Sequence, residues 1–262
     1  MHVASWNIAA VNNNPFEYWI TSSNEQYNKL MYDVQCFIED RSKDVRINSI
    51  FNDVMFSELI FEMESHNILG LSELQNLWND DYSQRMAIKD FLKDKSIGVK
   101  RLASMPDRIT NTINLKDGQV LMRPTVINAF NGGSLASIDD WWVLWKKFMF
   151  HTEIEIFVDN NAQGSQPQAV CNLISPILRG KYPAITVQEH AISIPLQILC
   201  LALLDSIFLF IMNSVAPGAW ETVRRDLSNA LIVNKFPKIC DILAASYHDC
   251  DVIFIQEAAA VF

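Results

Sequence analysis

The stretch CDVIFIQE, residues 250–257, decides how the rest of the chain is read. Val252, Ile253, Phe254 and Ile255 form an unbroken apolar run, and a continuous run of that length suits a strand covered on both faces, as in a parallel sheet. The run ends in Gln256 and Glu257, so the strand delivers a carboxylate at its exit. Just upstream, NKFPKICDILAASYH (234–248) reads as a helix: Pro237 fits a first turn, and Ile239, Ile242, Leu243 and Tyr247 share a face. Helix followed by buried strand is half of a βαβ unit.

The partner strand is expected at the opposite end of the chain, in HVASWNIAA, residues 2–10. His2 through Ile8 make a short strand whose exit carries Asn7, as the second strand's exit carries Glu257. Parallel neighbours present their carboxyl ends on one edge, where ligands bind in open α/β sheets. Strands lie about 4.8 Å apart, close enough for two oxygen ligands to share one ion.

What separates the two strands is mainly helical. SNEQYNKLMYDVQCFIED (23–40) has Ser23 and Gln26 at capping-box spacing, with Tyr27, Leu30, Met31, Val34, Phe37 and Ile38 on one face. NDVMFSELIFEMESHNILG (52–70) turns Met55, Leu59, Ile60 and Met63 inward and stops at Gly70. Ser72 and Gln75 suggest a further capping box. TINLKDGQVLMR (112–123) alternates on both sides of Asp117-Gly118, predicting a two-residue hairpin turn with positive φ at both positions. Ser137 caps a helix carrying Trp141, Trp142 and Trp145, whose spacing predicts core burial, although with Lys146 and Lys147 beside them these rings could stack bases. DNNAQGSQPQ (159–168) reads as a linker that could divide two helical lobes.

Residues 194–212, IPLQILCLALLDSIFLFIM, are nearly long enough to cross a bilayer. Asp205 near the middle costs about 2.5–3.5 kcal/mol on insertion scales, and no Lys or Arg flanks the run closely, so a buried core helix rather than a membrane span is expected.

Composition sets outer bounds. The chain has 262 residues, half of them apolar, with a net charge of −9 that opposes non-specific contact with phosphate backbones or acidic membranes. Five cysteines without C-x-x-C spacing suggest thiols in a reducing, intracellular setting, cytoplasmic or nuclear. No P-loop, G-x-G-x-x-G or G-x-S-x-G occurs. His248, Asp249 and Cys250 adjoin one another in a turn, where neighbours rarely point together, and His2, His66, His151 and His190 lack metal-ligand spacing.

The two ends together, SWNI (5–8) and CDVIFIQE, resemble the endonuclease/exonuclease/phosphatase superfamily of Mg²⁺-dependent phosphoesterases. The resemblance implies that Glu257 ligates a catalytic Mg²⁺, or Mn²⁺ in its place, that Asn7 helps position the metal or the scissile phosphate, and that Gln256 supports them. It covers about ten residues at the N-terminus and about 25 at the C-terminus. The superfamily's later Gly-Asp-x-Asn and Ser-Asp-His motifs have no counterpart after Glu257, and FVDNNA (157–162) precedes Gln-Glu and lacks the glycine. A two-ligand half-site without a general base has little means of activating water, so residues 1–262 alone are expected to be inactive.

The expected architecture is therefore α+β and helix-dominated. Residues 1–10 and 234–262 form a partial phosphoesterase-like α/β domain, and 11–233 a mainly helical insertion. The resemblance implies a phosphoester substrate (nucleic acid, nucleotide or phospholipid headgroup), and the insertion's size favours a role in substrate selection or in binding a protein partner. The alternative is a non-catalytic helical interaction module with a vestigial sheet.

Overall fold

The computed structural model describes residues 1–8, 16, 23–157 and 166–258. Helix-dominated α+β is what the chain adopts, with a small parallel strand pair. Strand β1 (Val3–Asn7) is followed by α1 (Glu25–Glu39), α2 (Asp53–Ser65), α3 (Leu71–Asp80), α4 (Lys95–Lys100) and α5 (Ser104–Thr110). A hairpin, β2 (Thr112–Asn114) and β3 (Val120–Met122), leads to α6 (Ile138–Phe150) and the short pair β4 (Glu153–Ile154) and β5 (Gln168–Ala169). Then come α7 (Val187–Ala191), α8 (Ser193–Val215), α9 (Ala219–Ser228), a π-helical turn (Asn229–Val233), α10 (Lys235–Ser246) and β6 (Val252–Gln256). Most of the proposed linker, 159–165, lies outside the described residues; Gln168 belongs to β5.

Helix α8 is the axis of the core. Leu196, Ile198, Leu199, Leu201, Leu203 and Ile207 are fully enclosed, and α1, α3, α5, α6 and α7 pack against it. It is long and apolar enough to cross a membrane, yet its sides face protein: even Gln197 and Asp205 are buried. An all-round apolar helix belongs in a core or a bilayer, and here the core encloses it.

Asp205 is tolerated there because it is saturated with donors. Arg123 Nε and Nη2 reach it at 2.8 and 3.1 Å, Thr125 Oγ1 at 2.7 Å and the Trp145 indole at 2.9 Å. Arg123, itself fully buried, also donates to Thr110 Oγ1 at 2.8 Å and to Asp107 Oδ1 at 2.5 Å. The tryptophan cluster is core as expected. Trp141 donates to Pro124 O at 2.9 Å and Trp142 to Glu58 at 2.8 Å, so each indole N–H of the cluster is used within the fold.

Local signals shift in informative ways. Asn24, not Ser23, caps α1, because its Oδ1 accepts from both Gln26 N and Tyr27 N. Asn52 does the same for α2, accepting from Val54 N and Met55 N at 3.0 Å each. Asn52→Ala is expected to cost about 1 kcal/mol in urea unfolding; a loss below about 0.3 kcal/mol would show that α2 does not depend on its cap. The Ser72 capping box does not form: α3 begins at Leu71, so Ser72 lies inside the helix and its hydroxyl turns to Glu73.

The hairpin falls where alternation places it, with Thr112 opposite Met122 and Asn114 opposite Val120. Its loop is longer than predicted. Gly118 N donates to Leu115 O and Leu115 N to Gln119 O, and of Asp117 and Gly118 only the glycine has positive φ, +84°. That is a three-residue loop closed by a left-handed glycine, not a two-residue turn.

β1 and β6 pair in parallel as anticipated, in the register Val3↔Val252 through Asn7↔Gln256. The expectation of cover on both faces does not hold. Both strands alternate exposed and half-buried, with Val3, Val252 and Phe254 on the open face, so the pair is covered on one side only. Trp6 and Tyr247 approach on the other face, ring centroids 6.4 Å apart. Ile8 and Ile239 are buried but stand apart from the main core cluster.

Candidate functional site

The carboxyl ends of β1 and β6 define the candidate site. Parallel register places Asn7 directly opposite Gln256, and Ile8 N donates to Gln256 O at 3.1 Å, extending the ladder one step. Gln256 is fixed by its own side chain, whose Nε2 donates to Ser5 Oγ at 3.0 Å. Asn7 and Gln256 therefore share the open face with Ser5 and Phe254, since side chains alternate along a strand.

Glu257 is the next residue and leaves the strand geometry. Its φ is +54°, the left-handed region, unusual for a non-glycine residue. The strand's alternation thus stops at Gln256, and the Glu257 side chain is carried on a turned backbone at the sheet edge, exposed to solvent. The sequence predicted Asn7 and Glu257 at one edge. The structure brings them to the same end of adjacent strands, with Gln256 rather than Glu257 as Asn7's direct partner.

Sequence reasoning missed one charged neighbour. Lys235, in the first turn of α10, lies within electrostatic range of Glu257: partial burial pulls the ammonium's pKa down, and the Glu257 carboxylate opposes that. Helical periodicity treats a lysine at a helix start as solvated surface, so nothing local marked it.

A His–Asp pair does form at the sheet, but at the wrong end. His2 Nδ1 lies 3.5 Å from Asp249 Oδ2, and His2 N donates to Asp251 Oδ2 at 2.7 Å. These groups tie the entrances of the two strands together. At about 3.3 Å per residue, the six positions from Asp251 to Glu257 separate them from Glu257 by roughly 20 Å. His2 is therefore out of reach as a base for chemistry at the Glu257 edge.

The donor set suits a hard cation in part. One carboxylate and one amide oxygen are the kinds of ligand Mg²⁺ takes when water and substrate phosphate complete its shell, and the open face admits both. Among the described residues, no group of three or more His, Cys, Asp or Glu is placed to hold a metal. Two oxygen donors do not make an all-protein cage.

Fold and site together define a helix-rich α+β protein whose terminal strands meet at one open edge. Residues 44–225 match the family described as a domain of unknown function, DUF8234. The match spans more than half of the chain, which belongs to that family. It runs from the approach to α2 into α9, leaving out β1, α1, α10 and β6. No curated protein and no solved structure matches the chain.

Proposed function

We propose that the β1/β6 edge is the metal-binding half of a Mg²⁺-dependent phosphoesterase centre, with the DUF8234 helical body inserted between its strands. The observation that carries this is the in-register parallel pairing of 3–7 with 252–256, which brings Asn7, Gln256 and Glu257 to one strand end from opposite ends of the chain. Glu257 and Asn7 would hold the ion, which when bound polarises a phosphoryl oxygen and attracts the substrate's charge. Gln256 fixes the strand end through Ser5, and Lys235 lends positive charge beside Glu257. The substrate class is a phosphate ester, and the helical body is suited to selecting it or a protein partner. An intracellular setting, cytoplasmic or nuclear, is supported by five cysteines that are all free thiols.

Calorimetric titration of the chain with MgCl₂, and Mn²⁺ titration followed by electron paramagnetic resonance, test the site. Saturable binding that is weakened at least tenfold in Glu257→Ala is expected; equal binding by both proteins would remove the metal site. Turnover of a generic phosphodiester by residues 1–262 is expected to be absent, since no base stands at this edge among the described residues. A metal-dependent activity abolished by Glu257→Ala would overturn that expectation.

One observation favours a second reading, a non-catalytic helical interaction module. The family match lies wholly within the helical body and includes neither strand. Loss of metal binding in wild type, together with retained folding, would select it.

A further inference from the structure

We infer that the cleft between α9 and the loop preceding α6 is a binding site for a small organic oxyanion, a phosphate or carboxylate, recognised by Arg224 and Arg225. The cleft has a volume of about 550 Å³, within the range of ligand pockets and far larger than a bare inorganic anion needs. Met122, Ala129 and Phe130 give it an apolar wall; Arg224, Arg225 and Asn229 face them across it.

Arg224 carries the argument. Its side chain is 5% exposed, yet no carboxylate among the described residues lies within ion-pair distance of it. Its hydrogen bonds go to main-chain carbonyls, Nη1 to Thr125 O at 2.8 Å and Nη2 to Phe130 O at 3.0 Å. A guanidinium has five N–H donors, so these two bonds leave capacity unused. The indole of Trp220 lies 5.1 Å away on the stacking side.

Glu221, the one carboxylate on the cleft wall among the described residues, is already engaged. Its Oε1 accepts from Leu135 N at 2.6 Å and its Oε2 from Ser134 Oγ at 3.1 Å, so its main work is to pin the loop. Two cations against one bound carboxylate give the cleft a positive balance within a chain of net charge −9. A buried charge bonded only to neutral groups is costly, and an oxyanion relieves that cost. Burial accordingly pushes the Arg224 pKa down to about 10, with Glu221 opposing.

The backbone beside the cleft is irregular as well. Ser228 lines it, with a shielded Oγ that has no hydrogen-bond partner, and the helix changes from α to π winding at Asn229. Such π turns are frequent at functional sites. The same turn leads directly into α10 and so toward β6, placing the cleft at the junction between the family-matched body and the strand pair.

The site is independent of the metal edge, and its test is kept separate. Inorganic phosphate, acetate and adenosine monophosphate are titrated into the full chain at constant ionic strength, with binding read by calorimetry and by amide shifts. Saturable binding of at least one probe in the millimolar range or tighter is expected, with shifts centred on 129–134 and 221–229. Arg225 is exposed and forms no ion pair among the described residues, so Arg225→Glu should leave thermal unfolding unchanged and weaken binding about tenfold or more. The same variant should bind Mg²⁺ as wild type does. No saturable binding by any probe, or binding indifferent to Arg225→Glu, overturns the proposal.

Discussion

Asp205→Ala is expected to lower the free energy of unfolding by about 3–5 kcal/mol. The reason is what remains after the carboxylate is gone. Arg123 is fully buried and would keep only Asp107 as a charged partner, while Thr125 and the Trp145 indole would lose their acceptor. Burial pushes the Asp205 carboxyl above its ordinary pKa, and the Arg123 cation and Thr125 hydroxyl draw it back. For Arg123, burial disfavours the cation, but Asp205 and Asp107 outweigh it and hold the pKa above the ordinary value. Each charge is thus acceptable only because of the other. The double variant Arg123→Met with Asp205→Leu is expected to cost much less than the two single changes summed, since apolar groups of similar volume need no partner. Urea unfolding with an unchanged m-value is the measurement. A loss below 1 kcal/mol for Asp205→Ala, or additivity in the double variant, would show that the network does not organise the core.

That network also marks the limit of what periodicity reveals. The apolar stripes of α1 and α2 could be read directly: Tyr27, Leu30 and Phe37, then Met55, Leu59, Ile60 and Met63, all point inward. The parallel strand pair was legible too, because an unbroken apolar run ending in Gln-Glu and a short strand ending in Asn each needed a partner. Arg123 was not. At the end of an alternating strand it reads as a solvated residue, and its true partner, Asp205, lies 82 positions later on another element. Asp205 looked like a flaw in an apolar helix until the arginine was placed beside it.

Capping went the same way on a smaller scale. Ser23 and Asn24 compete for one helix start, and the carboxamide wins because one oxygen reaches two amides. At the candidate edge, sequence named Asn7 and Glu257, but the left-handed turn at Glu257 and the nearby Lys235 depend on how the chain leaves β6 and where α10 begins. The Arg224 cleft was hidden altogether. Its residues come from α9 and from a loop some ninety positions earlier, and no spacing rule joins them.

Gly70→Ala is expected to cost about 2–5 kcal/mol, far more than a surface helix-end substitution. The sequence marks Gly70 as the stop of α2, but that helix ends at Ser65 with His66 as its C-cap, and Asn67 already takes positive φ, +56°. Gly70 instead opens α3, with φ +83°. A side chain in that conformation costs about 1–2 kcal/mol. A Cβ there would also stand 2.7 Å from Ile192 Cγ2 and 3.3 Å from Ile192 Cβ, and Ile192 is the buried residue from which α8 starts. Overpacking of that kind adds about 1–3 kcal/mol. The two contributions can be separated. Ile192→Ala removes the nearest atom but not the backbone strain, so the double variant should recover part of the Gly70→Ala loss, a coupling of about 0.5–3 kcal/mol. Strict additivity of the two changes in urea unfolding would mean that conformation alone requires the glycine. Measurable coupling would establish that α3 and α8 are held at contact distance through a residue with no side chain.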